Sequence, residues 1–205
     1  MNLTRNFTLS ELIKSDTAIR RDINNNPNAE QVEKLKALCE NILQPVRDHF
    51  GRVKITSGFR SVDLCLAIGS SANSQHAKAE AADFECPGVD NAELADWIYK
   101  NLEPDQLILE FYTPGEPNSG WIHCSWIPEG RRAQYMHAYK SEGKTKYKPV
   151  IGTARNLVEW LLVCLRENEY RDLGPELTKT VRSRCHYSPI WISPYPIRKI
   201  LYPFF

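Results

Sequence analysis

The sequence predicts an α+β domain: helices first, then a small antiparallel sheet flanked by them, with a C-terminal extension of different character. Three observations carry this reading. Apolar residues recur at helical spacing mostly before residue 50, short strand-length runs follow, and the composition changes near residue 152. A chain of 205 residues can bury one substantial core.

Taken in order, FTLSELIKSDTAIRR predicts a short helix introduced by Thr8 or Ser10 as N-cap. Asn28 precedes Val32, Leu35, Leu38, Cys39, Ile42 and Val46 at helical spacing, and Gln31 completes a capping-box pattern. Pro45 is expected to bend or end that helix near its last turn, because it lacks a donor and crowds the preceding turn. Gly51 opens a strand at RVKIT, residues 61–75 read as irregular or partly helical, and AADFEC reads as a strand closed by Pro87-Gly88. Asn91 is placed to cap a helix carrying Leu94, Trp97 and Ile98. QLILEFY and WIHCSW then form a hairpin across TPGEPNSG, and YKSEGKTKYKPV a smaller one around Glu142-Gly143.

Residues 1–152 therefore read as the domain and 153–205 as an extension. That extension carries a net charge of +3 against −2 for the remainder, has no acidic residue beyond Glu176, and is rich in aromatics and proline. The formal charge of +1 for the whole chain argues against nucleic acid as a partner. The six cysteines form no C-x-x-C pair and fit reduced, buried thiols. The N-terminal segment has no apolar stretch of signal-peptide length, and no run is long enough to span a bilayer, so synthesis in the cytoplasm is expected.

Chemistry concentrates in two patches. In SQHAKAEAADF, His76 and Asp83 lie on either side of a predicted turn, with Asp83 and Ala81 on one face of a strand and Ala82 and Phe84 on the other. In GWIHCSW, Trp121, His123 and Ser125 share a face, and the preceding strand brings Glu110 towards it. Two imidazoles and a carboxylate make the donor set of a catalytic zinc site, which keeps a fourth position open for water. A lone strand histidine is also a common satisfied core residue, and Glu110 reads equally as an outward-facing strand carboxylate.

With SGFRS upstream, S-x-H-x6-D and then W-x-H resemble peptidase family M15, the zinc D-alanyl-D-alanine carboxypeptidases and phage endolysin peptidases of the hedgehog/DD-peptidase fold. NFTLSEL, LCENILQPVRDHFG, ITSGFRS, AIG, SQHAKAEAADFE, DQLILEFY and GWIHCS carry the likeness, which spans nearly all of 1–152 and none of 153–205. The resemblance implies one zinc ion on His76, Asp83 and His123, with Arg60 as a cation that binds substrate and serves catalysis. It leaves Ser74 as a substrate contact or a loop cap. It implies a monomer that hydrolyses peptidoglycan stem peptides, reaching the wall after release or lysis, host- or phage-encoded. The same fold also serves as a catalytically silent, zinc-stabilised binding domain. Three positions depart from the family pattern: Ala79 stands where glycine is usual, Cys65 where asparagine is frequent, and Gly120 where many members carry the general base. Trp121 likewise replaces a second histidine found in others. Glu110 is then the expected base, with Glu116 in reserve.

Overall fold

In a computed structural model of the chain, residues 1–150 are described; the expectations for 153–205 lie outside them. The opening segment forms two short helices rather than one, α1 (Leu9–Ile13) and α2 (Asp16–Arg20). Ser15 accepts from the Ala18 N–H and so starts the second helix where the first ends, while Thr8 caps the first in a capping box with Glu11. The Asn28–Gln31 capping box forms as expected and launches α3 (Ala29–Leu38).

Pro45 does not end this helix. A widened π-turn at Cys39–Leu43, in which the Gln44 N–H donates to the Cys39 carbonyl, leads directly into α4 (Gln44–Phe50). The expanded turn falls just where the proline ring would crowd the preceding carbonyls and where its missing N–H breaks the ladder, so the chain continues through it. β1 (Lys54–Ser57), α5 (Val62–Ala67) and β2 (Ala81–Glu85) follow. Next comes α6 (Asn91–Asn101), whose N-cap is Asp90, accepting from the Ala92 N–H, one residue before the expected Asn91.

The hairpin of β3 (Gln106–Glu110) and β4 (Trp121–Ser125) is antiparallel, as is the terminal one of β5 (Gln134–Ser141) and β6 (Lys144–Pro149). Glu142 and Gly143, both at positive φ, make the two-residue turn of the latter. The six strands run in the order β1-β2-β4-β3-β5-β6. One expectation fails here: the sheet is mixed, because β3 and β5 are parallel. After β4 the chain crosses the end of β3 and returns on its far side, so β5 travels against β4 and with β3.

Alternation divides the sheet. Phe84, Leu107, Leu109, Ile122, Cys124 and Tyr135 join Leu35, Leu38, Ile42, Leu94 and Ile98 in the core. Ala81, Asp83, Ile108, His123 and Ser125 take the opposite face. Phe84 is fully buried, and truncating such a side chain costs about 3–5 kcal/mol. Its neighbour Asp83 is thus anchored by core packing on the other side of the same strand. The four described cysteines, 39, 65, 86 and 124, are free and buried, and burial pushes the Cys39 thiol up to about 12 and Cys86 to about 11.

The SGFRS loop after β1 is pinned to the helices. The Phe59 N–H donates to the Leu12 carbonyl at 2.7 Å, and buried Asn25 bonds the Ile13 and Phe59 carbonyls and the Ser61 N–H. A side chain at Gly58 would place its Cβ 2.2 Å from the Leu12 carbonyl oxygen. Gly58→Ala is therefore expected to lower stability in urea unfolding by about 2 kcal/mol or more, whereas a loss below about 0.5 kcal/mol would contradict this close approach.

Candidate metal centre

His76 sits in a turn that the backbone closes tightly. Glu80 N–H donates to the Gln75 carbonyl at 2.9 Å and Ala79 N–H to the His76 carbonyl at 3.2 Å, the paired bonds of a left-handed helix-end cap. Such a cap needs positive φ, and Ala79 adopts φ 61°, which explains why glycine is usual at this position. The alanine methyl is fully buried in the core, which offsets part of the conformational cost of roughly 1 kcal/mol. Ser74 Oγ accepts from the His76 N–H, so this side chain caps the turn. From α3, Gln31 donates to the Ala77 carbonyl and Lys34 pairs with Glu80, tying the turn to the helix.

Asp83 and His123 are direct cross-strand partners in the β2–β4 ladder. His76, Asp83 and His123 are 3%, 7% and 7% exposed and form a group that can hold a metal ion. His76 Nε2 lies 3.2 Å from His123 Nδ1 and 3.2 Å from Asp83 Oδ1, and the last two are 2.8 Å apart. Tetrahedral zinc with bonds of about 2.0–2.1 Å puts ligand atoms about 3.3 Å from one another, so the triangle has the right size.

The outward-facing atoms are already engaged. His76 Nδ1 meets the Gly58 carbonyl at 2.7 Å, and a carbonyl only accepts, so this nitrogen carries the hydrogen and Nε2 faces inward bare. His123 Nε2 meets Gln75 Oε1 at 2.9 Å, which leaves Nδ1 facing inward. With both rings neutral, three electron-rich atoms converge on one point, an arrangement that calls for a cation.

Arg60 Nη2 donates to Asp83 Oδ2 at 2.8 Å and its Nε to Ser57 Oγ at 2.8 Å. The arginine thus lies beside the cluster on the outer carboxylate oxygen, with Nη1 uncommitted among the described residues. Glu110 stands two residues beyond Ile108, the partner of His123, on the same face. Burial and then the Asp83 charge push its pKa up, against the smaller opposing effects of His123, Arg60 and Lys140. Glu116 is exposed in the hairpin loop. Gly120 has φ 67° and a Cβ there would fall 1.9 Å from the Glu110 carbonyl oxygen, so no side chain fits at this position. Cys65 is buried, its Sγ near the Arg60 carbonyl. Sequence reasoning passed over Gln75, Asp105 and Arg132, which continue the network outward from His123. Gln75 adjoins a candidate ligand, but nothing local marks the other two.

A buried His-Asp-His set that can hold a metal ion, with a partly buried carboxyl of raised pKa on the same sheet face, is compatible with metal-assisted hydrolysis. The chain belongs to the peptidase M15 family: the family model described as Peptidase M15 matches residues 5–125, more than half of its length. It is therefore a peptidase of metallopeptidase type, with peptide as substrate class. No curated protein matches the chain. No helix among the described residues is long and apolar enough to cross a membrane.

Because the three inward-facing atoms repel one another without a cation, a bound divalent metal should stabilise the fold. Zinc at about a hundred times its Kd is expected to add roughly 2.7 kcal/mol and raise the melting temperature by roughly 5–10 °C, reversed by chelator. An unchanged melting curve would contradict the convergence.

Proposed function

We propose that this chain is a zinc metallopeptidase that hydrolyses peptide bonds in bacterial peptidoglycan stem peptides, as a DD-carboxypeptidase or a phage endolysin-type endopeptidase. His76, Asp83 and His123 hold one zinc ion, in a hedgehog/DD-peptidase-like arrangement spanning residues 1–152. The observation that carries this reading is the convergence of His76 Nε2, His123 Nδ1 and Asp83 Oδ1 at zinc-ligand spacing, inside the segment matched by the family.

When bound, zinc supplies a Lewis acid that polarises the scissile carbonyl and makes water acidic enough to serve as nucleophile near neutral pH. Glu110 is the general base: it takes a proton from the attacking water and delivers it to the leaving amine nitrogen. Burial raises its pKa, a direction that strengthens the carboxylate as a proton acceptor. Arg60 has two tasks. Nη2 keeps the outer oxygen of Asp83 engaged so that Oδ1 stays directed at the metal, and the free Nη1 receives a carboxylate or carbonyl oxygen of the substrate. Ser74 caps the turn that carries His76 and, in this reading, adds a substrate contact.

The chain works as a monomer on wall peptide it meets after lysis or release. The basic, aromatic stretch 153–205 is read as an extension of this domain.

The purified chain should carry one mole of zinc and release fragments from purified peptidoglycan. Free D-alanine among the products would assign carboxypeptidase action, and new amino termini without it endopeptidase action. Glu110→Gln is expected to keep the zinc and lose at least about a hundredfold in turnover. Zinc binding with no turnover of any peptidoglycan would make the chain a silent binding domain instead, and full activity of Glu110→Gln would remove that residue as base.

A further inference from the structure

The Gln75 amide has one accepting end and one donating end, and its surroundings decide which points where. Asp105 precedes β3 and is 3% exposed. Arg132, in the β4–β5 connection, donates to its carboxylate from Nη2 at 2.6 Å, from Nε at 3.1 and 3.2 Å, and from its backbone N–H at 2.9 Å. Burial alone would raise the Asp105 pKa, yet the Arg132 hydrogen bonds hold it low, so the carboxylate is ionised and accepts only. The end of Gln75 that meets Asp105 Oδ2 at 3.0 Å must therefore be Nε2, which also donates to Ser125 Oγ at 2.7 Å. Oε1 is left facing His123 Nε2 at 2.9 Å and accepts its hydrogen.

We propose that Gln75 is a positioning residue that selects the His123 tautomer able to bind metal through Nδ1, and that the Asp105–Arg132 ion pair locks Gln75 in the required orientation. A reversed amide would set Oε1 against the Asp105 carboxylate and turn N–H bonds toward His123 Nε2. The ring proton would then move to Nδ1, between Asp83 and His76, where it excludes the ion. The β4–β5 connection thus reaches the metal centre from outside the segment 5–125 that the family model matches. The same stretch is tied to Asp105 a second time, through the Gln134 N–H on its carbonyl at 3.1 Å. This inference rests on the zinc-site reading above.

The test is zinc affinity by competition with a chromophoric chelator, on folded variants of the full chain, together with 15N-resolved imidazole spectra of the zinc-loaded protein. In the wild type, His123 should show its hydrogen on Nε2. Gln75→Met fills the same space without an acceptor, and its zinc affinity is expected to fall about ten- to a hundredfold. Asp105→Asn frees the amide to rotate and should weaken binding less. The double variant Gln75→Glu with Asp105→Asn restores an acceptor toward His123 and a donor behind it, and should recover to within about threefold of wild type. Gln75→Met with wild-type affinity, a double variant no better than Gln75→Met, or a His123 hydrogen on Nδ1 would each overturn the proposal. A wild-type chain that binds no zinc would instead bring down the metal-site reading itself.

Discussion

Two imidazole nitrogens and one carboxylate oxygen point at a common centre from about 3 Å apart, with their outer hydrogen-bonding positions already satisfied. Neutral rings in this arrangement present only lone pairs to one another, which is unfavourable in a buried place unless positive charge lies between them. The surrounding structure is organised to maintain that convergence. Asp83 and His123 are fixed by direct pairing in the ladder, with Phe84, Ile122 and Cys124 locked into the core on the reverse face. His76 arrives separately, from a turn held by its own cap and by Gln31 and Lys34 of α3.

Outside the triangle, each candidate ligand is supported by a group that has a partner of its own. Gly58 offers its carbonyl to His76 from a loop that packs so closely on Leu12 that only glycine fits. Arg60 from the same loop holds the outer oxygen of Asp83. Gln75 faces His123 and is backed by Asp105 and Arg132. Such outer contacts set ring orientation and tautomer, and their loss usually weakens a metal site about ten- to a hundredfold. Glu110 stands apart from this scaffold. It lies on the site face, where burial and the nearby Asp83 charge raise its pKa, a shift that fits the base role proposed for it.

Local features were legible in the chain wherever neighbouring residues decide them. Thr8 and Asn28 cap their helices because the N3 partners Glu11 and Gln31 lie within the same turn, and Glu142-Gly143 turns a hairpin because Gly143 takes positive φ freely beside Glu142. The split of β2 into Asp83 on one face and Phe84 on the other follows from strand alternation alone. Contacts between distant segments escaped. The parallel pairing of β5 with β3 depends on where the β4–β5 connection crosses, and the π-turn before Pro45 depends on a helix packed tightly enough to be continued. Asp105 and Arg132 read locally as loop charges, and only the fold reveals that one of them is buried behind Gln75. At Ala79 the sequence showed the departure from glycine, and the turn geometry supplied its physical meaning, a positive φ borne by a buried methyl.

The most direct test of the account is X-ray absorption at the zinc edge of the zinc-loaded full chain. Binding by His76, Asp83 and His123 predicts a four-coordinate shell of nitrogen and oxygen at about 2.0–2.2 Å, with the outer-shell pattern of two imidazoles and no sulfur. A sulfur shell at about 2.3 Å, which would place the ion on the cysteines, or a shell lacking imidazole scattering, would contradict it.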